Sequence, residues 1–290
     1  MDTSPTSPAA ANAAPKSGLP RRWLYLALGT ALLFVLMPFL FWQATWFGRP
    51  LTDEQIAKNL ADREHPRRAQ HALSQIADRI LSGDLAARDS ARRWYPQVIA
   101  LSSSPVDELR LTSAWVMGQD NAAPEFRQIL LRLLGDPHPM VRRNAALSLV
   151  RFGDASGHGV IVSMLEPLAV PAPRAGKLVT RLKLGDGVNP GTLLGRIQEG
   201  DRKTEVRSRV PGTLERWVAL EGSAVEAGQP IALLASSPEM VREALRALYL
   251  IGQPEDLPAV ERYARAADVS DNIRQQAALT ARAIRARAHP

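Results

Sequence analysis

The chain has 290 residues, no cysteine, 46% hydrophobic residues and a formal net charge of +7. Without cysteine there is no disulfide, no thiolate nucleophile, no iron–sulfur ligation and no cysteine zinc site. The length accommodates two or three modules. The positive charge sits on Arg residues spread at helical spacing, with no basic cluster interleaved with stacking aromatics, so it reads as solvated faces and not as a nucleic-acid surface.

Residues 1–20 are mostly Ser, Thr, Pro and Ala with a few charges; they cannot bury a core, which predicts a disordered cytoplasmic tail. Residues 21–48 read as a transmembrane anchor. The stretch 23–48 has no charged residue, and its apolar heart, 23–42, is about the length that crosses a hydrocarbon core. Trp23 and Tyr25 at one end, with Trp42, Trp46 and Phe47 at the other, suit two aromatic belts. Bulky aromatics stand where a signal peptide would place small residues for cleavage, so the anchor is expected to be uncleaved, with a kink at Pro38. Lys16, Arg21 and Arg22 precede the span, against Arg49 and Lys58 after it. The positive-inside rule then predicts a single-pass protein of the inner (plasma) membrane with a periplasmic or extracytoplasmic body.

Residues 49–166 and 237–290 read as helical repeats. Ser104-Pro105, Asp136-Pro137 and Asp268 are turn signals, each followed by an apolar–Arg pair: Leu109-Arg110, Val141-Arg142 and Ile273-Arg274. Small residues then recur at helical steps, at Ala114, at Ala145-Ala146 and at Ala277-Ala278. Gly118-Gln119 with Pro124, and Gly252-Gln253 with Pro258, punctuate two helices alike. Short helices with a period of roughly thirty residues mean an α-solenoid. The stretches D-P-H-P-M-V-R-R-N-A-A-L (136–147), I-R-Q-Q-A-A-L (273–279) and V-R-E-A-L-R-A-L-Y-L-I-G-Q-P-E-D-L-P (241–258) resemble HEAT repeats, of the short type also seen in bacterial phycobilin-lyase-like proteins. In such arrays the Arg after the apolar residue bonds carbonyls or a neighbouring acid, so Arg110, Arg142 and Arg274 are expected to be structural.

Residues 167–236 say nearly the same thing twice. Gly176 matches Gly212, Leu184 matches Leu220, Val188 matches Val225, and Gly191 matches Gly228. Each copy is a pair of short β segments with glycine turns, and neither closes a core alone. Paired about a pseudo-twofold axis they form a flattened sandwich. The second copy, V-P-G-T-L-E-R-W-V-A-L-E-G-S-A-V-E-A-G-Q-P-I-A-L-L, resembles the biotinyl/lipoyl domain family and, equally, the lipoyl-type domain of periplasmic adaptor (membrane-fusion) proteins of efflux and secretion systems. That resemblance implies one of two jobs. A carrier presents a modified Lys at the tip of the hairpin joining the halves; an adaptor dispenses with it. The tip here is Gln198-Glu199-Gly200-Asp201-Arg202-Lys203, which puts Asp201 where the modified Lys would stand and Lys203 two residues beyond. Lys203 is read as an exposed edge charge that discourages strand pairing.

No catalytic residues are expected. Of the five histidines, His65, His71, His138, His158 and His289, no pair has the spacing of a zinc protease, and His138 between two prolines is expected to face solvent. There is no G-x-S-x-G elbow, S-x-x-K or phosphate loop, and Gly185, Gly187 and Gly191 are turn glycines. Trp115, Val210 and Trp217 are expected in cores.

Together these features predict a mainly α protein: one transmembrane helix, then a short HEAT-type α-solenoid interrupted by a small β barrel-sandwich (lipoyl-like) domain. The expected function is a membrane-anchored, non-catalytic scaffold or adaptor of a cell-envelope or transport complex, with protein partners and no cofactor, metal or nucleic acid. Homo-oligomerisation is left open. Two alternatives stand beside it: a biotin/lipoyl-type carrier modified on Lys203, and an efflux or secretion adaptor oligomerising through the barrel.

Overall fold

The structure, a computed structural model, describes residues 21–44 and 50–288. It divides into two compact units, 1–51 and 52–290. The expected tail at 1–20 and the belt residues Trp46 and Phe47 lie outside the described residues.

In the first unit the described residues form α1 (Arg21–Ala44), with Pro38 inside it. Its described side chains are solvent-exposed. The transmembrane expectation is overturned: among the described residues no helix is long and apolar enough to cross a membrane. The single-pass inner-membrane placement goes with it.

The second unit opens with α2 (Asp53–Ala61), started by a reciprocal capping box in which Thr52 Oγ1 accepts from the Gln55 amide and Gln55 Oε1 accepts from the Thr52 amide. There follow α3 (Pro66–Leu81), α4 (Leu85–Arg92), α5 (Tyr95–Leu101), α6 (Asp107–Met117), α7 (Pro124–Leu133), α8 (Pro139–Arg151) and α9 (His158–Ser163). Proline at the first turn starts α3, α7 and α8, where its missing N–H costs no helical bond. After the strands come α10 (Pro238–Ile251), α11 (Leu257–Arg265) and α12 (Asp271–Ala288). Helices α3, α6, α8, α10 and α12 pack in succession as one row, with the remaining helices against them.

The helical core does not stop at the strands. Ala146, Val150, Ile161, Met164 and Leu165, before them, share one buried cluster with Val241, Leu245, Leu248, Ile273 and Ile284, after them. Burying each of the Val, Leu, Ile and Met side chains contributes about 1.5–3 kcal/mol, so both halves of the helical array stabilise one another.

Between α9 and α10 lie β1 (Leu168–Pro171), β2 (Gly176–Thr180), β3 (Gly187–Val188), β4 (Leu193–Glu199), β5 (Arg202–Arg207), β6 (Gly212–Trp217), β7 (Ala224–Val225) and β8 (Pro230–Ser236). They form two antiparallel sheets, ordered β1-β8-β6-β3 and β5-β4-β2-β7. Exchanging the first four strands for the last four turns one order into the other, which is the topological signature of the duplicated sequence. The hydrogen bonds repeat as well: Gly185 N donates to Leu214 O and Gly222 N to Leu178 O, both equivalent pairs. The core is paired in the same way, with Leu178 and Leu214, Leu194 and Ile231, and Val188 and Val225 all buried.

A closed barrel does not form; the sheets stay open. The outer strands β3 and β7 are two residues long. The other edges, β1 and β5, carry Pro171 on one side and Arg202, Lys203, Glu205 and Arg207 on the other, and both devices block strand pairing.

Candidate protein-interaction surfaces

The repeat arginines close on the chain itself. Arg110 Nη1 donates to Ser104 O at 2.9 Å and Arg142 Nη1 to Asp136 O at 2.7 Å, each returning to the turn six residues earlier. Arg274 bonds Val269 O at 2.6 Å and the Asp271 carboxylate. Arg110 also bonds Asp136 and Asp107, and those bonds raise its pKa. Burial pushes the Asp136 carboxyl upward, but Arg110 and the His138 amide outweigh it and hold the group below the usual carboxylate range. These arginines lock each helix to its own turn, as their spacing suggests.

A groove of about 240 Å3 crosses α6, α8 and α10. Trp115, Leu147 and Leu250 supply its apolar wall; Arg151, Glu243 and Arg246 supply its charges. Its walls are fixed by side chains of α8 that reach carbonyls of α6: Asn144 to Leu111 O at 3.2 Å, Ser148 to Ala114 O at 2.9 Å, and Arg151 to Gly118 O at 3.1 Å. Ser148 sits where Gly118 leaves room, since a Cβ on Gly118 would stand 2.3 Å from Ser148 Oγ. Gly118 and Gly252 end helices without positive φ; close packing, not left-handed backbone, explains both.

Trp115 is 39% exposed, contrary to its expected place in a core. The sequence held the signal. At about 100° per residue, Trp115 falls opposite the arc of Leu109, Ser113, Val116 and Met117, the face of α6 that is buried. Leu250 is 60% exposed on the same groove. Val210 is buried as expected, and Trp217 packs on the β core while donating its Nε1–H to Leu182 O at 3.2 Å.

At the β4–β5 hairpin, Glu199 pairs with Arg202 and Gln198 with Lys203. The turn is Gly200-Asp201, with Gly200 at φ +57°. Lys203 is exposed on the edge strand and makes no side-chain hydrogen bond or ion pair among the described residues; the strand alternates, so Val206 points inward while Lys203, Glu205 and Arg207 point out. Asp201, not Lys203, occupies the turn.

Among the described residues the histidines do not converge; His289 lies outside them. His65 sits against Asp62 at 3.1 Å and His158 against buried Asp256 at 2.7 Å. His138 is not a solvent-facing residue: its side chain is 14% exposed, and Nδ1 accepts from the Met140 amide at 3.3 Å as the cap of α8. Among the described residues no group of three His, Cys, Asp or Glu could hold a metal ion.

The family model for HEAT repeats matches residues 96–167, from within α5 to the residue before β1. This stretch is similar to HEAT repeats. No curated protein matches the chain. Among solved structures, a single-chain, multi-domain long-chain acyl-CoA carboxylase is similar over 34% of this chain, at 18% identity and a TM-score of 0.24. This chain spans 10% of that protein's length. An engineered protein is similar over 80% of this chain and 78% of its own, at 15% identity and a TM-score of 0.40. A designed armadillo repeat protein is similar over 79% of this chain and 80% of its own, at 13% identity and a TM-score of 0.39.

Proposed function

We propose that this chain is a non-catalytic adaptor that holds protein partners on the exposed face of its helical row, with its duplicated β-module as a second docking body. HEAT repeats suit protein binding because stacked helices offer a long continuous surface. The observation that carries the reading is Trp115 with Leu250: two large apolar side chains left in water beside a groove whose walls are rigidly bonded. An aromatic anchor next to Arg is the composition from which interface hot spots are built. The likeness of the β-module's sequence to lipoyl-type adaptor domains favours partners from an envelope or transport assembly.

A photo-crosslinking residue placed at Trp115 or at Leu250 tests this in the producing cell. Discrete adducts from both are expected, with none from Leu85, which is 73% exposed on α4. Adducts from Leu85 alone, or from no position, would defeat the proposal. In the same scheme the β-module is a docking body and Lys203 an unmodified edge residue. Intact-mass analysis checks this; a mass increment that disappears in Lys203→Ala would make the module a carrier instead.

A further inference from the structure

A basic cleft lies where the β-module meets the start of α8. It encloses about 410 Å3 between β1, β5 and the turn ahead of α8. The floor is carbon: Leu168, Val170, Val206 and Leu234, of which the last three are buried. Its charges are Arg142, Arg207 and Arg209 against Glu205 alone.

Hydrogen bonding separates these cations. Arg207 is fully engaged, with Nε and Nη2 on Glu205 and Nη1 on Gly191 O at 2.6 Å. Arg196 also reaches Glu205 at 3.5 Å, so that carboxylate is already shared. Among the described residues Arg142 uses only Nη1, on Asp136 O. Arg209 is exposed and makes no side-chain hydrogen bond or ion pair among the described residues. Behind them on α8, Arg143 is 4% exposed and pairs with no carboxylate among the described residues; Nη1 meets Met140 Sδ at 3.9 Å. Asp107 and Asp136 are both paired with Arg110. Among the described residues Arg142 and Arg209 are thus left at this cleft without a carboxylate partner, while Glu205 is spent on Arg207 and Arg196.

We propose that the cleft is a binding site for an organic carboxylate: the carboxylate accepts from Arg209 and the unused edge of Arg142, and its apolar stem lies over Leu168, Val170 and Val206. A mostly apolar pocket with a few convergent polar groups is the ordinary form of a small-ligand site. The carbon floor favours a carboxylate with a stem over a bare inorganic anion. Pro171 removes an edge donor of β1, so the ligand is held by side chains and not by strand addition. Two sources supply this chemistry, a free amphiphilic acid and a Glu or Asp beside an apolar residue in a partner's peptide. The site stands apart from the Trp115 groove, and its fate does not depend on that groove's.

Calorimetric titration of the full chain with octanoate, and with octanol as the uncharged stem, is the test. Octanoate is expected to bind and octanol not. Arg209→Gln should weaken octanoate about tenfold or more, the worth of a charge-assisted hydrogen bond; Arg209 bonds nothing among the described residues, so its loss spares the fold. A Leu-Glu octapeptide, compared with its Leu-Gln counterpart, is then set in competition. Displacement by the Glu peptide alone assigns the carboxylate to a partner's side chain, and no displacement assigns it to a free acid. Octanoate binding unchanged in Arg209→Gln, binding matched by octanol, or absence of binding overturns the proposal.

Discussion

The guanidinium of Arg110 grips the carboxylate of Asp136 twice, Nε on Oδ2 at 2.7 Å and Nη2 on Oδ1 at 3.0 Å, joining α6 to the turn that starts α8. The side chains are 12% and 5% exposed, so the pair is shielded from water. Arg110→Met leaves Asp136 buried beside no cation and is expected to cost about 3–5 kcal/mol in denaturant unfolding. The double variant with Asp136→Asn should lose less than the sum of the two single losses, because it removes the stranded charge as well. A loss below about 1 kcal/mol would show the pair to be dispensable.

Asp136 also sets an acid limit. Its folded pKa is lowered, so its stabilisation is present above its unfolded value and is lost as pH falls through the folded value. Arg110→Met should flatten that acid limb of the stability–pH curve; an unchanged limb would assign it to other carboxylates.

His138 acts at higher pH. Burial is the largest cause of its lowered pKa, followed by the charge of Arg209; Asp107 and Asp136 oppose and Arg110 assists. As the cap of α8 its Nδ1 must accept, which a protonated ring cannot do. The unfolded chain takes up this proton first, so stability falls as pH drops from about 7 through the ordinary histidine value and levels below the folded one. His71, lowered by burial, adds a slope of the same sign. His138→Asn keeps a cap acceptor and should reduce the slope between about pH 7 and pH 5. A slope identical to that of the parent would place it all on other groups.

Gly118 and Ser148 form a tight contact across α6 and α8. Gly118→Ala should cost about 1–3 kcal/mol by displacing Ser148 from its bond to Ala114 O. Ser148→Gly in the same chain should recover part of that loss. Additive losses in thermal unfolding would mean that the two positions do not interact.

The duplicated module makes a symmetric prediction. Gly191 and Gly228 occupy equivalent turns at φ 88° and 82°, each with open space where a Cβ would stand. Alanine at either site meets backbone strain alone, about 1–2 kcal/mol, and the two losses should agree within about 0.5 kcal/mol. A large inequality would break the equivalence of the halves.

Much of this is legible in the residues. The apolar–Arg steps of Leu109-Arg110, Val141-Arg142 and Ile273-Arg274 announce helices tied to their own turns, since a guanidinium six residues past a turn reaches its carbonyl. The matched glycines and valines of 170–234 announce two interchangeable halves. Other positions mislead. Residue type puts Trp115 in a core, although its angle on α6 points outward. Flanking prolines put His138 in solvent, although a residue before a helix-opening Pro is well placed to cap. The apolar run after Arg22 carries the pattern of an anchor, yet among the described residues no helix is long and apolar enough to cross a membrane.

Local chemistry alone therefore determined which segments become helices and which become paired strands, because periodicity, capping and turn glycines act over a few residues. The tertiary structure decided the rest. It brought Arg142 to Arg207 and Arg209, far along the chain, around one cleft; it left the two sheets open behind proline and charge; and it set Trp115 and Leu250 on one groove across three helices. Those are meetings of distant residues, and only the packing of the whole unit brings them about.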